Sequence, residues 1–392
     1  MTMDIAFCYE KIVPARGGCE TYISDLARRL ARDGHAVHIY ARDWDAAALP
    51  PATHFHRIDP PKGPRFLRPW RFAAACERAL AHHRHDVTIG FDKTWGQDVL
   101  YPQGGLHAAT VAHNRLKFHA AAVRFGAGLV KWFDPATWSF SLLERKQYLG
   151  RYRPVIVVNS RMVRGHFEQF YGVPADRTRI VPNAIDPTRF HADDRPRRRH
   201  AEREAWGVAP DAPVGLFVGM NYRLKGLAPL IRSLTMVPKE KGLTVAVVGH
   251  RDYSEYAKLA ESLGVADRVR FLGFRADPKD AYFASDFLIH PTFYDPCSLV
   301  VLEALACGLP VVTTRFNGAA ELIDSTAGLI VNDPLDSAAL GGAIATLCDP
   351  VTRAAAAKAA RDCARRWTFE DHYRSLLAVF AEVYEDKLRK AA

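Results

Sequence analysis

Two carboxylates stand eight positions apart in "FYDPCSLVVLEALACG" (293–308), where Asp295 comes before and Glu303 within a run of apolar residues. An unpaired buried carboxylate is costly, so Glu303 requires a basic neighbour or a hydroxyl-rich ligand. Asp295 has a second explanation, because an Asp followed by a Pro is typical of a helix start, with Asp295 at or near the N-cap. The pair indicates a ligand site or, for Asp295, a helix cap.

Glycines and cations form a second set. "GMNYRLKG" (219–226) places Arg223 and Lys225 on a glycine-bounded loop, and a planar guanidinium with a point-charge ammonium suits a diphosphate. Gly17 and Gly18 allow backbone amides to approach an anion at a helix N-terminus, with a simple turn as the alternative. The G-x-x-x-x-G-K-[ST] motif is missing, and no G-x-G-x-x-G follows the first strand of either half, which argues against P-loop ATPases and dinucleotide-dependent oxidoreductases.

These residues follow predicted strands. A strand at 4–9, a helix from Thr21 to Asp33 closed by Gly34, and a strand at 35–41 form a βαβ unit, whose strands should be parallel. Further strands in this half are predicted at 86–91, 99–103 and 155–160. The second half alternates helices with apolar strands at 214–220, 244–250, 269–274, 286–291, 310–314 and 328–332. Near-continuous apolar strands are typical of sheets covered on both faces.

We therefore predict an α/β fold with two doubly wound Rossmann-like domains facing across a cleft. The predicted domains cover 1–185 and 186–369, and a C-terminal helix of about 370–392 could pack back on the first domain. The boundary stretch, 181–204, is rich in Pro, Asp and Arg. Its "RPRRRH" (195–200) is interpreted as a charged linker or solvated face rather than a nucleic-acid patch.

The composition bounds the class of protein. With 392 residues, 48% hydrophobic and 24% charged, the chain is expected to be a soluble globular protein of two domains, not secreted and not spanning a membrane. Seven cysteines without a C-x-x-C pair favour free thiols in a reducing cytoplasm.

The net charge of +10 is unevenly distributed. Residues 1–190 contain 27 Lys and Arg against 17 Asp and Glu, whereas the rest contains 26 of each. This asymmetry indicates an anionic partner of the first half, such as a phosphate-bearing glycan, lipid headgroups or nucleic acid, with a solvated basic surface as the alternative.

Two stretches have the residue types of a metal site. "DWD" (43–45) lacks a supporting His or acid, and "HHRHD" (82–86) is interpreted as the polar end of a helix before a strand. We predict no metal site and no cofactor, and no Ser-His-Asp or Cys-His arrangement can be placed at facing strand ends.

Several motifs in order resemble a known family. "GGCE" (17–20), the stretch 157–186, Lys225-Gly226 and "DPCSLVVLEALACGLPVVTT" (295–314) together resemble the retaining glycosyltransferases of family 4, which have the GT-B fold. The resemblance covers nearly the whole chain. Within that family, "AFCYEKIVPARGG" (6–18) and "GFDKTWGQDVLY" (90–101) are similar to lipopolysaccharide-core glucosyltransferases, which transfer glucose from UDP-glucose to a heptose.

The resemblance implies a role for each matching residue. Gly17 and Gly18 would place amides near the donor diphosphate, which Lys225 would bind with help from Arg223. Glu303 would hold the ribose hydroxyls and Asp295 the donor sugar. The amides of Ser298 and Leu299 would face the sugar and phosphates. Acceptor-side candidates carried over in the same way are Asp92, Lys93 and His107.

Two departures from the family pattern concern the donor site. The first acid of the family's E-x7-E is here the shorter Asp295, and Met220 occupies the position of the usual Arg after the strand's Gly. Arg223 must therefore replace that Arg by a different route.

The resemblance implies retaining transfer of a hexose from a nucleotide diphosphate sugar to an anionic glycan or glycolipid, without a metal. It implies an enzyme of the cytoplasm, and the basic first half adds the hypothesis of peripheral contact with an anionic inner membrane. The alternatives are another GT-B enzyme, such as a nucleotide-sugar epimerase or phosphorylase, and a non-catalytic protein that binds membranes or anions. Nucleic acid is not an expected partner.

Overall fold

The computed structural model describes residues 2–14, 17–118, 134–186, 190 and 195–391. The chain divides into two compact units. The N-terminal unit comprises the chain up to Pro182 and again from His372, and the C-terminal unit comprises Asn183–Asp371. The predicted boundary lay at 185, and the last 21 residues belong to the N-terminal unit.

The N-terminal unit is built on a parallel sheet with the strand order β5-β3-β1-β6-β7-β8-β9. Its strands are β1 (Asp4–Cys8), β3 (Ala36–Ala41), β5 (His54–Arg57), β6 (Val87–Gly90), β7 (Val99–Leu100), β8 (Val155–Val158) and β9 (Thr178–Ile180). A separate parallel pair joins β2 (Lys11–Ile12) to β4 (Asp43–Trp44).

Helices accompany these strands along the chain. They are α1 (Gly18–Arg32), α2 (Arg68–Leu80), α3 (His107–Arg115), α4 (Pro135–Leu149), α5 (Arg161–Tyr171) and, after the C-terminal unit, α14 (Phe369–Ala391). Tyr22 of α1 and His372 of α14 are joined by a hydrogen bond of 2.7 Å between the tyrosine hydroxyl and Nε2. The last helix is thereby attached to the first.

The C-terminal unit has a parallel sheet in the order β12-β11-β10-β13-β14-β15. Its strands are β10 (Val214–Gly219), β11 (Thr244–Gly249), β12 (Val269–Gly273), β13 (Phe287–His290), β14 (Val311–Thr314) and β15 (Gly328–Val331). Its helices are α6 (Arg195–Ala205), α7 (Tyr222–Lys225), α8 (Leu227–Ser233), α9 (Ser254–Ser262), α10 (Lys279–Ala284), α11 (Leu299–Ala306), α12 (Ser337–Cys348) and α13 (Pro350–Arg366).

Two hydrophobic clusters cover this sheet, and alternate residues of its strands contribute to each. Leu216 and Val218 of β10 pack in one cluster, and Phe217 packs in the other. Both faces of the sheet are therefore buried, which explains why these strands are continuous apolar runs. The prediction of two doubly wound α/β domains is confirmed.

The strand order of each sheet reverses at one point. In the N-terminal unit it reverses between β1 and β6, and in the C-terminal unit between β10 and β13. The loops that follow those strands run in opposite directions and leave a crevice at the carboxyl ends, which is where open α/β sheets bind ligands. A ligand site is therefore expected at each of these two reversal points.

Two strands of the N-terminal sheet were not predicted. They are β5, with the sequence HFHR, and β9, with the sequence TRI. They lie at opposite edges of the sheet. Edge strands are short and carry charged residues, so they give no apolar run. The prediction that α1 begins at Thr21 was also wrong, because the helix begins at Gly18.

The predicted charged linker is partly a helix. Three arginines of α6, at spacing four, lie on one face: Arg195 donates to the Cys307 carbonyl, and Arg199 and Arg203 both pair with Asp286. Arg203, 2% exposed, also donates to the Ala284 carbonyl at the end of α10. These arginines of the basic stretch therefore attach α6 to the C-terminal unit through backbone carbonyls and Asp286. The interpretation as a solvated linker was wrong for these residues.

All seven cysteines are free thiols, and six are buried. None of the described helices combines the length and apolar character that crossing a membrane requires. The "DWD" stretch is accounted for locally, since Asp43 pairs with Lys11 at 3.1 Å and Asp45 accepts a hydrogen bond from the Ala47 amide.

Candidate functional site

The first group of candidate residues lies where the C-terminal sheet reverses. After β10, Asn221 caps the short helix α7 by accepting the Leu224 amide at 3.1 Å. Gly226 ends that helix with φ +82°, and a Cβ there would come within 2.0 Å of the Pro291 carbonyl oxygen. Only glycine satisfies both conditions. The turn fixes Lys225 at the carboxyl end of the sheet.

Lys225 is paired with Asp295, which follows the neighbouring strand β13. The distance from Nζ to Oδ2 is 2.5 Å, and the two side chains are 22% and 11% exposed. His290, the last residue of β13, places Nε2 3.5 Å from the same oxygen. A cation, a carboxylate and an imidazole thus converge at the point where the strand order reverses.

The Asp295 carboxylate is held in its charged form. Burial by itself would raise the pKa of Asp295, but the nearby Lys225 ammonium and the His290 ring outweigh burial and hold this pKa well below its usual range. Burial also lowers the pKa of His290, so its ring is neutral at pH 7. The net charge of the three side chains at neutral pH is close to zero.

Asp295 is not a helix cap. Helix α11 begins at Leu299, with Ser298 at its N-cap. Asp295 instead forms an isolated bridge with Asn317, in which its amide donates to the Phe316 carbonyl and its carbonyl accepts the Gly318 amide. The prediction of a helix start at Asp295-Pro296 was therefore wrong. The Asp295 carboxylate does not cap a helix and pairs with Lys225 instead.

Asn317, which the sequence did not single out, organises the start of α11. Its Oδ1 accepts the amides of Ser298 at 3.3 Å and Ala319 at 3.1 Å, and its Nδ2 donates to Thr313 Oγ1 at 3.1 Å. The Ser298 amide thus has an acceptor within the protein. Leu299 is the first residue of α11, at the end of the helix where the dipole favours an anion.

Glu303 lies half-buried on α11, and the hydroxyl of Tyr282 donates to its Oε2 at 2.6 Å. Burial, followed by the adjacent Glu303, raises the pKa of Tyr282 well above its usual value. The sequence predicted that Glu303 needs a basic or hydroxyl-bearing partner, and Tyr282 provides one hydroxyl from within the protein. A carboxylate has about four lone-pair sites, so the bond from Tyr282 alone does not exhaust its acceptor capacity.

Arg223 is not brought to Lys225. It lies two positions away on α7, and residues two apart do not share a helix face. Its guanidinium pairs with Glu255 at 3.2 Å, and both side chains are about 70% exposed, at 73% and 69%. Met220, in the position of the usual family Arg, is 53% exposed. In this structure Lys225 is the one predicted cation paired with Asp295.

The second group lies where the N-terminal sheet reverses. Gly17 is the N-cap of α1 and Gly18 its first residue, and no side chain caps this end. The helix thus presents backbone amides at the glycine pair, and the glycines lie closer to its dipole than the sequence predicted.

A cavity of about 730 Å³ lies beside this helix. It is lined by residues following β1 and β6, including Tyr9, Asp92 and Lys93, and by the aromatic rings of Phe66 and Phe140. Its charged lining residues are Glu10, Lys11, Glu20, Arg65, Arg68, Asp92, Lys93 and Asp134. This mixture of ring faces and both charges is suited to a polar ligand with apolar ring faces, such as a sugar.

Asp92 has φ +68° and is the one non-glycine residue with a positive φ in the described part of the chain. Gln147 holds this conformation by donating from Nε2 to the carbonyls of Asp92 at 2.5 Å and Thr94 at 2.7 Å. Left-handed backbone costs a non-glycine residue roughly 1–3 kcal/mol and clusters at ligand sites.

A smaller cavity of about 170 Å³ is lined by Asp92, Lys93 and His107, so the structure brings the three acceptor-side candidates together. His107 begins α3, and its amide donates to Glu144 at 2.6 Å. Burial raises the pKa of Glu144. Lys93 lies 4.4 Å from the Phe140 ring centroid, which orders its ammonium at both cavities.

Sequence reasoning missed His290, Asn317, Tyr282 and Phe140. His290 ends a predicted strand, so attention to polar residues at strand carboxyl ends would have found it. Asn317 follows β14 in the same way. Tyr282 and Phe140 carry no comparable signal, because each reaches its site from a helix that starts far away in the sequence.

Comparisons with known proteins place this geometry in context. The family model "Glycosyltransferase Family 4" matches residues 16–189, and "Glycosyl transferases group 1" matches residues 212–349. The lipopolysaccharide glucosyltransferase WaaG of Escherichia coli K12 is 27% identical over 335 residues, which cover 85% of this chain and 86% of that protein.

Solved structures show the same fold. The crystal structure of WaaG, a glycosyltransferase involved in lipopolysaccharide biosynthesis, superposes with a TM-score of 0.76 at 24% identity, covering 97% of this chain and 99% of that one. Anabaena Alr3699/HepE in complex with UDP-glucose superposes with a TM-score of 0.72 at 21% identity, covering 97% and 100%.

Proposed function

Because the chain is a glycosyltransferase of the family 4 and group 1 type with the GT-B fold, we propose that it transfers a hexose from a nucleotide diphosphate sugar to a glycan or glycolipid hydroxyl with retention. The proposed donor is UDP-glucose, and the proposed acceptor is a sugar of a lipopolysaccharide core. The similarity to a lipopolysaccharide glucosyltransferase and the fold shared with a protein that binds UDP-glucose support these assignments.

The observation that carries the proposal is the Lys225–Asp295 pair at the reversal point of the C-terminal sheet. An ammonium has three donors, and Asp295 takes one, which leaves Lys225 able to bind the donor diphosphate. A cation held in place before the reaction stabilises the charge that develops on the leaving diphosphate without reorganisation. In this proposal Lys225 and backbone amides balance that charge, and no metal is required.

Glu303 and Asp295 take different parts of the donor. Glu303, with Oε2 fixed by Tyr282, accepts hydrogen bonds from the ribose hydroxyls. Asp295 positions Lys225 and accepts from a hydroxyl of the sugar. The amide of Leu299, at the start of α11, faces the phosphates.

Retention in this site follows from attack on the side of the leaving group. Asp295 is a poor nucleophile, because its Oδ2 is held by Lys225 and its low pKa makes it weakly basic. The acceptor oxygen bonds to the anomeric carbon as the carbon–phosphate oxygen bond breaks, and the acceptor proton passes to the leaving diphosphate. Lys225 stabilises that diphosphate throughout.

The acceptor is proposed to bind in the 730 Å³ cavity of the N-terminal unit. Among the described residues, neither Arg65 nor Lys93 has a carboxylate within ion-pair distance, whereas Arg68 is bound to Glu10 at 2.6 Å. Two cations without carboxylate partners in a cavity with aromatic walls favour an anionic, phosphate-bearing sugar.

The same unit is proposed to contact the anionic inner face of the membrane from the cytoplasm. Besides its excess of basic residues, it exposes Phe66, Leu67, Trp138 and Leu142 by 38% to 53%. Apolar residues near basic ones are typical of interfacial binding. Cosedimentation with phosphatidylglycerol vesicles, but not with phosphatidylcholine vesicles, is expected, and equal sedimentation with both would contradict the proposal.

The experiment that tests the function uses the full chain with a panel of UDP- and GDP-sugars and a core oligosaccharide lacking its glucose. The expected result is nucleotide release that depends on the acceptor and is fastest with UDP-glucose, and a product whose anomeric proton shows the α configuration of the donor. Inverted configuration would overturn the retaining mechanism. Nucleotide release independent of acceptor would overturn the transferase assignment in favour of hydrolysis, and conversion to another UDP-sugar without nucleotide release would overturn it in favour of epimerisation.

A further inference from the structure

Five histidines gather on one face of the N-terminal sheet. His38 lies on β3, His54 and His56 lie on β5, and His83 and His85 precede β6. The His38 ring stacks on the His54 ring with centroids 4.5 Å apart, and the His85 ring lies tilted against His38 with centroids 4.6 Å apart. This cluster lies near Asp4, the first residue of β1, whereas the proposed sugar site follows the last residue of that strand.

We propose that Asp4, His38 and His85 form a binding site for a late first-row divalent cation such as Zn²⁺, outside the glycosyl-transfer site. One ligand atom from each of the three lies within 4.8 Å of the others. His38 Nε2 is 3.2 Å from Asp4 Oδ2, and His85 Nδ1 is 2.5 Å from Asp4 Oδ1. Ligands of a tetrahedral zinc, each at about 2.0–2.1 Å from the metal, are about 3.3 Å apart, so the side chains need to separate only slightly.

The second nitrogen of each ligand ring already has a partner. Tyr40 Oη lies 2.8 Å from His85 Nε2, and His56 Nε2 lies 3.0 Å from His38 Nδ1. Metal-bound histidines typically donate their other N–H to such a partner, which fixes the tautomer and the ring orientation. A hydroxyl and an imidazole can each accept that hydrogen when the metal replaces the proton on the ligand nitrogen.

The two histidine ligands of the proposed metal site are largely buried. The His85 side chain is 2% exposed and that of His38 16% exposed, while Asp4 is 38% exposed and gives access for a metal and a water ligand. Lys387 of α14 donates to the His85 carbonyl at 3.0 Å and to Asp98 at 2.9 Å. A bound cation would therefore tie β1, β3 and the segment before β6 together beside the last helix.

Two histidines, a carboxylate and an open position are typical ligands for zinc and for neighbouring metals of the first row. Mg²⁺ and Ca²⁺ prefer oxygen ligands, so they should bind far more weakly. Three ligands from three segments predict a stabilising metal, with no part in the transfer reaction.

The test uses the full chain without an affinity tag, stripped with a chelator and titrated calorimetrically with ZnCl₂, CoCl₂ and MgCl₂. The expected result is one Zn²⁺ per chain, a higher Tm with Zn²⁺ than with Mg²⁺, and visible Co²⁺ absorption of a low-symmetry site. H38A and H85A should abolish this binding. Y40F, which keeps all three ligands, should weaken it by about 10- to 100-fold.

The matched control is H82A, because His82 is exposed in the same segment and lies outside the ligand set. H82A should bind Zn²⁺ like the unaltered chain. Absence of a one-to-one site, or binding that H38A and H85A leave unchanged, would overturn the proposal. If either alanine variant fails to fold, Y40F and the Co²⁺ spectrum decide it, and unchanged affinity in Y40F together with an octahedral, water-like Co²⁺ spectrum overturns it.

Discussion

The candidate donor site and the candidate acceptor cavity occupy equivalent positions, each at the carboxyl ends of strands where a sheet reverses its order, but they are built differently. In the C-terminal unit, Lys225 and His290 both contact Asp295, and the three side chains are largely buried. The N-terminal cavity is large and is lined by loops and aromatic rings. Under the proposed function, the C-terminal site holds fixed charges for the transfer step, and the N-terminal cavity recognises the acceptor by its shape and charge.

The strongest test of this comparison is Lys225→Ala. Removing a preorganised group that stabilises leaving-group charge should lower kcat by about 10²–10³-fold, or about 3–4 kcal/mol, measured as UDP release with saturating acceptor. Lys258→Ala is the matched control, since Lys258 is an exposed lysine of the same unit.

Lys225→Ala also leaves the Asp295 carboxylate without its cation, which should lower stability. Adding Asp295→Asn removes that stranded charge, so the double variant should recover Tm and remain inactive. Recovery of turnover in the double variant would show that Lys225 acts only as a structural partner of Asp295.

The second test concerns the acid stability of the N-terminal unit. Burial lowers the pKa of His372 in the N-terminal unit to about 4, while its nitrogens bond to Tyr22 and the Pro182 carbonyl. The unfolded histidine, with a pKa near 6.5, binds more protons than the folded one between pH 6.5 and 4, so stability falls as pH falls through this window. The loss should reach about 3 kcal/mol near pH 4.

Hydrogen exchange resolved by peptide, corrected for intrinsic rates, measures this loss in α1 and α14, which the Tyr22–His372 bond joins. His372→Gln should make protection in these helices less dependent on pH, and His82→Gln, at an exposed histidine, should not. Equal pH dependence in the His372→Gln variant and the unaltered chain would assign the acid sensitivity to other groups. The Asp295 carboxylate, with its very low pKa, should remain charged throughout.

The third test concerns the nucleoside end of the donor site. Glu303→Gln weakens acceptance of ribose hydroxyls without changing the side-chain volume, so the KM for UDP-glucose should rise about tenfold, with little change in kcat. Tyr282→Phe should give a smaller increase, because it removes the hydroxyl that orients Glu303. Glu261→Gln, on the exposed side of α9, serves as the control. An unchanged KM in Glu303→Gln would remove Glu303 from the donor site.

The sequence predicted the parts of this molecule that depend on buried apolar runs. Strands such as Val214–Gly219 are covered on both faces, so their composition identifies them, whereas the edge strand His54–Arg57 has polar residues and was missed. Lys225, Asp295 and Glu303 were found by residue type and motif order. Their partners were not, because the contact of Asp295 with Lys225, and the place of Asn317 beneath α11, arise from strands paired in space.

Local rules were least reliable at the site itself. Asp295-Pro296 has the sequence of a helix start, yet Asp295 forms a β-bridge with Asn317, and α11 begins only at Leu299. Arg223 was grouped with Lys225 by proximity in sequence, although helix geometry turns it toward Glu255. At both positions tertiary contacts at the candidate site overrode the local preference.

The smallest expected effect lies in the acceptor cavity and tests whether its role is recognition alone. Arg65→Ala and Lys93→Ala should each raise the KM for a phosphorylated acceptor about fivefold, a cost of about 1 kcal/mol, because exposed cations contribute modestly and are screened by salt. Slow hydrolysis of UDP-glucose without acceptor should not change. Arg32→Ala, at an exposed arginine of α1 away from the cavity lining, is the matched control.

A dephosphorylated acceptor separates charge recognition from shape recognition. With it, the two variants and the unaltered chain should have similar KM values, and raising the salt concentration should reduce the difference seen with the phosphorylated acceptor. If either variant instead lowers hydrolysis without acceptor as strongly as transfer, Arg65 or Lys93 acts on the donor. The division of charge chemistry and acceptor recognition between the two units would then be wrong.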